Sequence, residues 1–252
     1  ISCRSAVRIR PPQPIKDSMK KTLWLYGDSF TELKNKTIPH DPWYKILAEK
    51  LGVERVMNRG ESGIANTRIA ELFWNDIHDH QPEDFVLSQL TESSRIWFFE
   101  DRPDLSNWQN MLLFFNVISK EQKNAVEQYL KYLDNAKRDY AIDRSIGFSL
   151  IAASRARSRV FSAFDEIPGQ KGTLLEVSVK EFPGDSYQEQ FEILSKVSQK
   201  EGYGDYRINH LSKDNHQILA DKLYNWFTLD NEPLDFSNNF KEKIIQKDLL
   251  NV

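Results

Sequence analysis

The stretch Leu23-Trp24-Leu25-Tyr26-Gly27-Asp28-Ser29-Phe30-Thr31 decides how the rest of the chain reads. An apolar run of strand length breaks abruptly into Gly-Asp-Ser, and a polar segment follows. At the carboxyl end of a parallel strand, such a break delivers a short polar side chain to the sheet edge where open α/β folds bind ligands. Gly27 suits the sharp turn because it lacks the Cβ that restricts other residues. Asp28 suits it as an acceptor for nearby backbone N–H groups, which leaves Ser29 as the exposed hydroxyl. The plain alternative is a turn without chemistry, since Gly, Asp and Ser are ordinary turn formers. The choice depends on a base elsewhere in the chain, and His210 is a candidate.

Working outward, residues 21–26 read as the first strand. Asp41-Pro42 reads as an N-cap and first-turn proline. The helix it opens carries Trp43, Tyr44, Leu47, Ala48 and Leu51 and stops at Gly52. A short strand over 54–57, a loop over 58–63 and a helix over 66–78 follow. Residues 85–90 read as a third, buried strand introduced by Pro82. Strand, helix, strand, helix, strand at this spacing predicts an α/β domain, a three-layer α/β/α doubly wound parallel sheet. From 107 to 157 there is no Pro and a single Gly, Gly147. Val126, Tyr129, Leu130, Leu133 and Ala136 recur near helical spacing. This predicts a helical insertion, about 105–157, after the third strand: an enlarged crossover, a cap over the sheet edge or a surface for self-association.

Residues 159–164 read as the fourth strand, 174–179 as a fifth strand or hairpin arm, and 187–197 as a weak helix. A strong helix over 212–227 carries Ile218, Leu219, Leu223, Trp226 and Phe227 as an apolar stripe. The domain therefore spans 19–229. Residues 230–252 read as a tail on the surface or against another subunit. Residues 1–18, with Arg-Pro-Pro-Gln-Pro, read as a disordered leader or an artefact ahead of Met19.

Composition narrows the function classes. A length of 252 residues suits one large α/β domain, and a net charge of -3 gives no electrostatic case for a nucleic-acid partner. The lone Cys3 excludes an intramolecular disulfide and a Cys-rich zinc site. No apolar run approaches the roughly 20 residues of a membrane span, and no apolar region follows Arg4, Arg8 and Arg10 as in a secretory signal. These features predict no membrane partner and a cytoplasmic protein. His40, Asp41, His78, Asp79 and His80 are the nearest approach to a metal cluster, but adjacent residues diverge in direction, so no metal is expected. Gly60 and Gly63 lack the Lys-Ser/Thr of a phosphate loop, and no cofactor is expected.

A hydroxyl nucleophile needs a base to take its proton and donors to hold the oxyanion. His210 lies just before Ser212, a good N-cap for the last helix, and a loop histidine there can reach the carboxyl edge of the sheet. His216, inside that helix, is expected to pack or hydrogen-bond locally.

Gly27-Asp28-Ser29-Phe30-Thr31 resembles the first block of the SGNH (GDSL-like) hydrolase superfamily, and 58–63 is similar to its second. His210-Leu211-Ser212, then His216 and Leu219-Ala220, resembles its last block. The resemblance covers about 19–229 and implies the flavodoxin-like SGNH fold and hydrolysis of an ester, often an acyl group on a sugar, without metal or cofactor. It implies Ser29 as nucleophile and oxyanion donor, Gly63 as second donor and His210 as base.

Two departures stand out. The third block, usually Gly-x-Asn-Asp, is Ser88-Gln89-Leu90-Thr91 here, so Gln89 or Thr91 is the candidate for the missing donor. Three residues before His210 stands Arg207 rather than Asp, which leaves Asp205 as the candidate acid. Such variants resemble divergent members encoded by bacteriophages. Asp28, Asn58, Arg95 and Arg207 are candidate substrate-binding residues. The partner implied is a small-molecule or glycan ester, with oligomeric state open. The competing reading is a catalytically weak relative serving as a glycan-binding or structural virion protein, with Trp97, Phe98 and Phe99 stacking on sugars or simply buried.

Overall fold

The computed structural model describes residues 20–32, 41–92, 145–147, 149–174, 211, 213–229 and 233–241, together with Asn124 and Gln128. Four strands, β1 (Thr22–Tyr26), β2 (Arg55–Asn58), β3 (Phe85–Leu90) and β4 (Arg157–Ser162), form one sheet in the order β2-β1-β3-β4. Every pairing in it is parallel. This is an α/β fold, with the strand order of flavodoxin-like doubly wound sheets.

The expected strands and the observed ones agree closely. β3 occupies the expected residues, β1 starts one residue later, and β2 and β4 shift by one and two residues. β1 and β3 are buried along their whole length, as central strands covered on both faces must be.

Alternation along β1 divides the core. Leu23 and Leu25 join Phe85 and Leu87 on one face, covered by α1 (Trp43–Leu51) and α3 (Lys213–Thr228) through Leu47, Leu219 and Leu223. Trp24, Tyr26 and Val86 face the other way, covered by α2 (Asn66–Asp76) through Ile69 and Phe73 and by Leu150 of the helical stretch 149–153. The helix linking β1 to β2 and the one linking β2 to β3 thus lie on opposite faces. Because the two crossovers also run in opposite directions across the sheet, they share one hand.

α1 ends as expected at Gly52, in the left-handed region at φ 62°, and Val53 N–H donates back to Ala48 O at 3.1 Å. Its start differs from expectation. Pro42 rather than Asp41 occupies the N-cap and has no side chain to offer the first amides. The acceptor for the Trp43 N–H is His216 Nδ1, 3.1 Å away and 173 residues along the chain. His216 therefore packs in the core, as expected, and also bonds across the fold.

The expectation of a surface tail is also corrected, for residues 233–241. Leu234 and Asp235 form β6 (Leu234–Asp235), parallel to β5 (Gln170–Lys171). Leu234 and Phe236 are buried in the α1/α3 face of the core. Their apolar character was masked in the sequence by the polar residues around them. Most of the insertion at 105–157, the 174–179 strand beyond Leu174, the 187–197 helix, the leader and residues 242–252 lie outside the described residues. Among the described residues, no helix is long and apolar enough to cross a membrane.

The α2 face encloses a polar group. His80 is buried against the Trp24 and Phe73 rings, with Nε2 2.9 Å from the Tyr26 hydroxyl. Tyr26 O–H donates to Asp76 Oδ2 at 3.2 Å, and Arg59 donates to both oxygens of that carboxylate at 2.8 and 3.0 Å. Burial pushes the His80 imidazole below its ordinary value, outweighing the nearby Asp76, Asp84 and Asp79 carboxylates. Between about pH 6.5 and the lower folded value, the unfolded chain binds a proton that the folded chain refuses. Stability carried by neutral His80 is therefore present above about pH 6.5 and lost as pH falls below it. Denaturant titrations at pH 7.5 and 5.5 are expected to show a smaller acid-side loss for His80→Gln than for the parent protein.

Candidate active site

The carboxyl ends of β1 and β3 lie side by side at the point where the strand order reverses, the usual ligand crevice of such sheets. At the end of β1 the chain folds into a single helical turn, in which Thr31 N–H and Glu32 N–H donate to Asp28 O at 2.9 and 3.0 Å. Asp28 caps this turn with its own side chain, because Oδ1 accepts the Phe30 N–H at 3.0 Å. From Thr22 to Thr31 every residue is buried except Ser29, which is half-buried.

The Asp28 carboxyl group, 0% exposed, collects donors from β3 as well. Gln89 Nε2 donates to Oδ1 at 2.9 Å, and Thr91 Oγ1 donates to Oδ2 at 2.7 Å. Thr31 Oγ1 donates to Gln89 Oε1 at 2.8 Å and closes the ring. Gly27 is required by this ring. A Cβ there would stand 2.5 Å from Thr31 Oγ1 and 2.6 Å from Gln89 Oε1.

The second loop docks on the first. Asn58 Nδ2 donates to Thr31 O at 2.5 Å, while Asn58 Oδ1 accepts the Gly60 N–H at 2.8 Å. Glu61 N–H donates to Gly27 O at 3.0 Å. Gly63, at φ 75°, completes the loop just ahead of α2. Asn58 thus acts as a brace between the loops.

The structure accordingly brings together Asp28, Ser29, Asn58, Gln89 and Thr91. The hydrogens that an oxyanion would need from Gln89 and Thr91 are directed elsewhere. Both Gln89 amide hydrogens go to Asp28 and to Leu90 O, the latter at 3.2 Å. The Thr91 hydroxyl goes to Asp28, and the Thr91 N–H goes to Asn66 Oδ1 at 2.7 Å. His210, Asp205, Arg95 and Arg207 lie outside the described residues, as do Trp97, Phe98, Phe99 and His40. Among the described residues no cluster of metal-ligating side chains occurs.

Three supporting residues escaped the sequence reading. Asn66 is buried and grips Thr91 from both sides, its Nδ2 donating to Thr91 O at 3.1 Å. Thr31 completes the Asp28 ring. Trp43 holds the residue after Ser29, its Nε1–H donating to the Phe30 carbonyl oxygen at 2.8 Å. In the sequence Asn66 was visible only as the first residue of a helix, and nothing local marked it as a brace for a strand end.

Two substitutions test this construction. Thr91→Val preserves shape but leaves a buried carboxyl oxygen short of a donor, which is expected to cost about 1–3 kcal/mol. Gly60→Ala places a Cβ 2.7 Å from Glu32 N and Thr31 C, backbone atoms that cannot step aside. It is expected to cost ~1–3 kcal/mol. Urea midpoints at unchanged slope check both.

No family model matches the chain, and no curated protein matches it significantly. Among solved structures, the chain is similar to a member of the lipolytic protein G-D-S-L family from Veillonella parvula DSM 2008. The likeness covers 91% of this chain and 93% of that one, at 10% identity and a TM-score of 0.32. At that TM-score it carries no weight for the chemistry, which rests on the residues described above.

Proposed function

We propose that the chain is a serine hydrolase of the SGNH (GDSL-like) type that cleaves an ester, with acyl groups on carbohydrate as the substrate class its sequence blocks suggest. The observation that carries this reading is the lone emergence of Ser29 from an otherwise buried segment at the sheet's ligand crevice. An Asp28-centred ring with partners in the turn itself and at the end of β3 fixes the turn that carries that hydroxyl, which is the pre-organisation a nucleophile needs.

In the proposed reaction, Ser29 Oγ attacks the ester carbonyl carbon while its proton passes to His210. The Ser29 and Gly63 backbone N–H groups hold the oxyanion. Collapse of the intermediate breaks the C–O bond, and His210–H⁺ protonates the leaving alcohol. Water then gives a proton to His210 and attacks the acyl-serine; the Oγ–acyl bond breaks, His210 returns that proton to Ser29 Oγ, and the acid is released. Asp205 orients the imidazole and stabilises its charged form. Gln89 and Thr91 serve this scheme through Asp28, by fixing the turn that carries Ser29.

A second reading has one observation in its favour. With Gln89 and Thr91 committed to Asp28, the oxyanion site depends on backbone donors, and a missing donor costs about a hundredfold or more. A glycan-binding protein with weak hydrolysis fits that arrangement.

Hydrolysis of p-nitrophenyl acetate and labelling by a fluorophosphonate separate the two. Ser29→Ala and His210→Ala are each expected to abolish labelling and lower kcat by ~10³-fold or more. A folded parent protein that neither turns over the ester nor takes the label would decide for the binding role.

A further inference from the structure

We propose that Trp43 is a positioning residue of this site, locking the Ser29 turn to the first turn of α3, the helix that follows His210; this role rests on the serine-hydrolase reading above. Trp43 is 1% exposed and donates in two directions. Its indole Nε1–H goes to the carbonyl oxygen of Phe30, the residue immediately after Ser29, at 2.8 Å. Its backbone N–H goes to His216 Nδ1 at 3.1 Å, in the first turn of α3. One rigid side chain with its own amide therefore spans the two chain segments whose separation an acyl transfer must control.

The surroundings point the same way. Leu211, adjacent to His210, is buried in the same hydrophobic cluster as Phe30 and Trp43. Pro42 provides no side-chain cap, so the first amide of α1 has His216 as its acceptor. That bond requires an unprotonated Nδ1, which in the neutral ring puts the proton on Nε2. The rest of the fold holds without this link, because the Asp28 ring anchors the Ser29 turn and Leu219 and Leu223 anchor α3. Loss of the link therefore loosens the placement of nucleophile against base, to which reactive geometry is acutely sensitive.

The test uses the full chain with Trp43→Phe, His216→Leu and His216→Asn, Ser29→Ala serving as the unlabelled control. The rate of fluorophosphonate labelling, kcat and KM for p-nitrophenyl acetate, and Tm are measured for each. Trp43→Phe and His216→Leu are each expected to slow labelling and kcat by ~10-fold or more, with KM within about twofold, in protein that remains folded. His216→Asn, whose side-chain oxygen takes the acceptor place of Nδ1, is expected to recover most of the rate. The double variant Trp43→Phe/His216→Leu is expected to lose less than the product of the single losses, because both cut one link.

A folded Trp43→Phe that labels as fast as a labelled parent overturns the positioning role alone, as does His216→Asn no faster than His216→Leu. A parent protein that takes no label overturns the hydrolase reading and this role with it.

Discussion

The Asp28 carboxyl group is withdrawn from water, and a buried acceptor with that many lone pairs must be met by donors from the protein. Its donors are the Phe30 amide, the Gln89 amide and the Thr91 hydroxyl. The first bends the chain into a turn directly after β1. The other two require that the end of β3 present Gln-x-Thr on the same face. Thr31 and Asn66 then hold Gln89 and Thr91 in their turn. Ser29 faces outward as a result, since its neighbours on both sides are engaged inward.

A second buried aspartate does the matching task at the opposite edge. Asp84, just before β3, accepts the Thr22 amide at 2.8 Å and the Trp24 indole N–H at 3.0 Å. The β1–β3 pair is thus clamped at its amino-terminal end by Asp84 and at its carboxyl-terminal end by Asp28. Parallel hydrogen bonds fix the register between these clamps. Fraying of either central strand would strip a buried carboxyl group of its partners, so both ends resist opening.

What the sequence revealed, and what it hid, follows from the range of the interactions. β1, β3 and α3 announced themselves through local periodicity: unbroken burial in the strands and an apolar stripe on the helix. Gly27, Asp28 and Ser29 were visible because turn chemistry is local too. Asn66 was hidden because its partner, Thr91, lies 25 residues away and no spacing rule connects them. Trp43 and His216 were hidden for the same reason over a far greater separation. Phe236 was missed because a single aromatic among Asp, Ser and Asn reads as surface, although Phe161 receives it at a centroid distance of 5.7 Å. The departure at Gln89 and Thr91 was legible as a departure. Its outcome, donors turned toward Asp28, needed coordinates.

The two faces of the sheet close over very different lengths of chain. On the α2 side, Trp24, Tyr26, Ile69, Phe73 and Val86 come from one stretch and only Leu150 is added from farther along, so the entropy of closing most of that layer is modest. On the other side α1 waits for α3 and Phe236 to cover it, and even its first amide finds its acceptor 173 residues onward. Non-local closure of this kind is slow. Folding should therefore pass through a stage in which one layer is assembled while the apolar α1 face stands open, the stage most exposed to aggregation. Docking of α3 ends that exposure and, through Trp43, ties the first turn of that helix to the segment that carries Ser29. The Ser29 turn thus gains its tie to α3 only once the vulnerable face is covered.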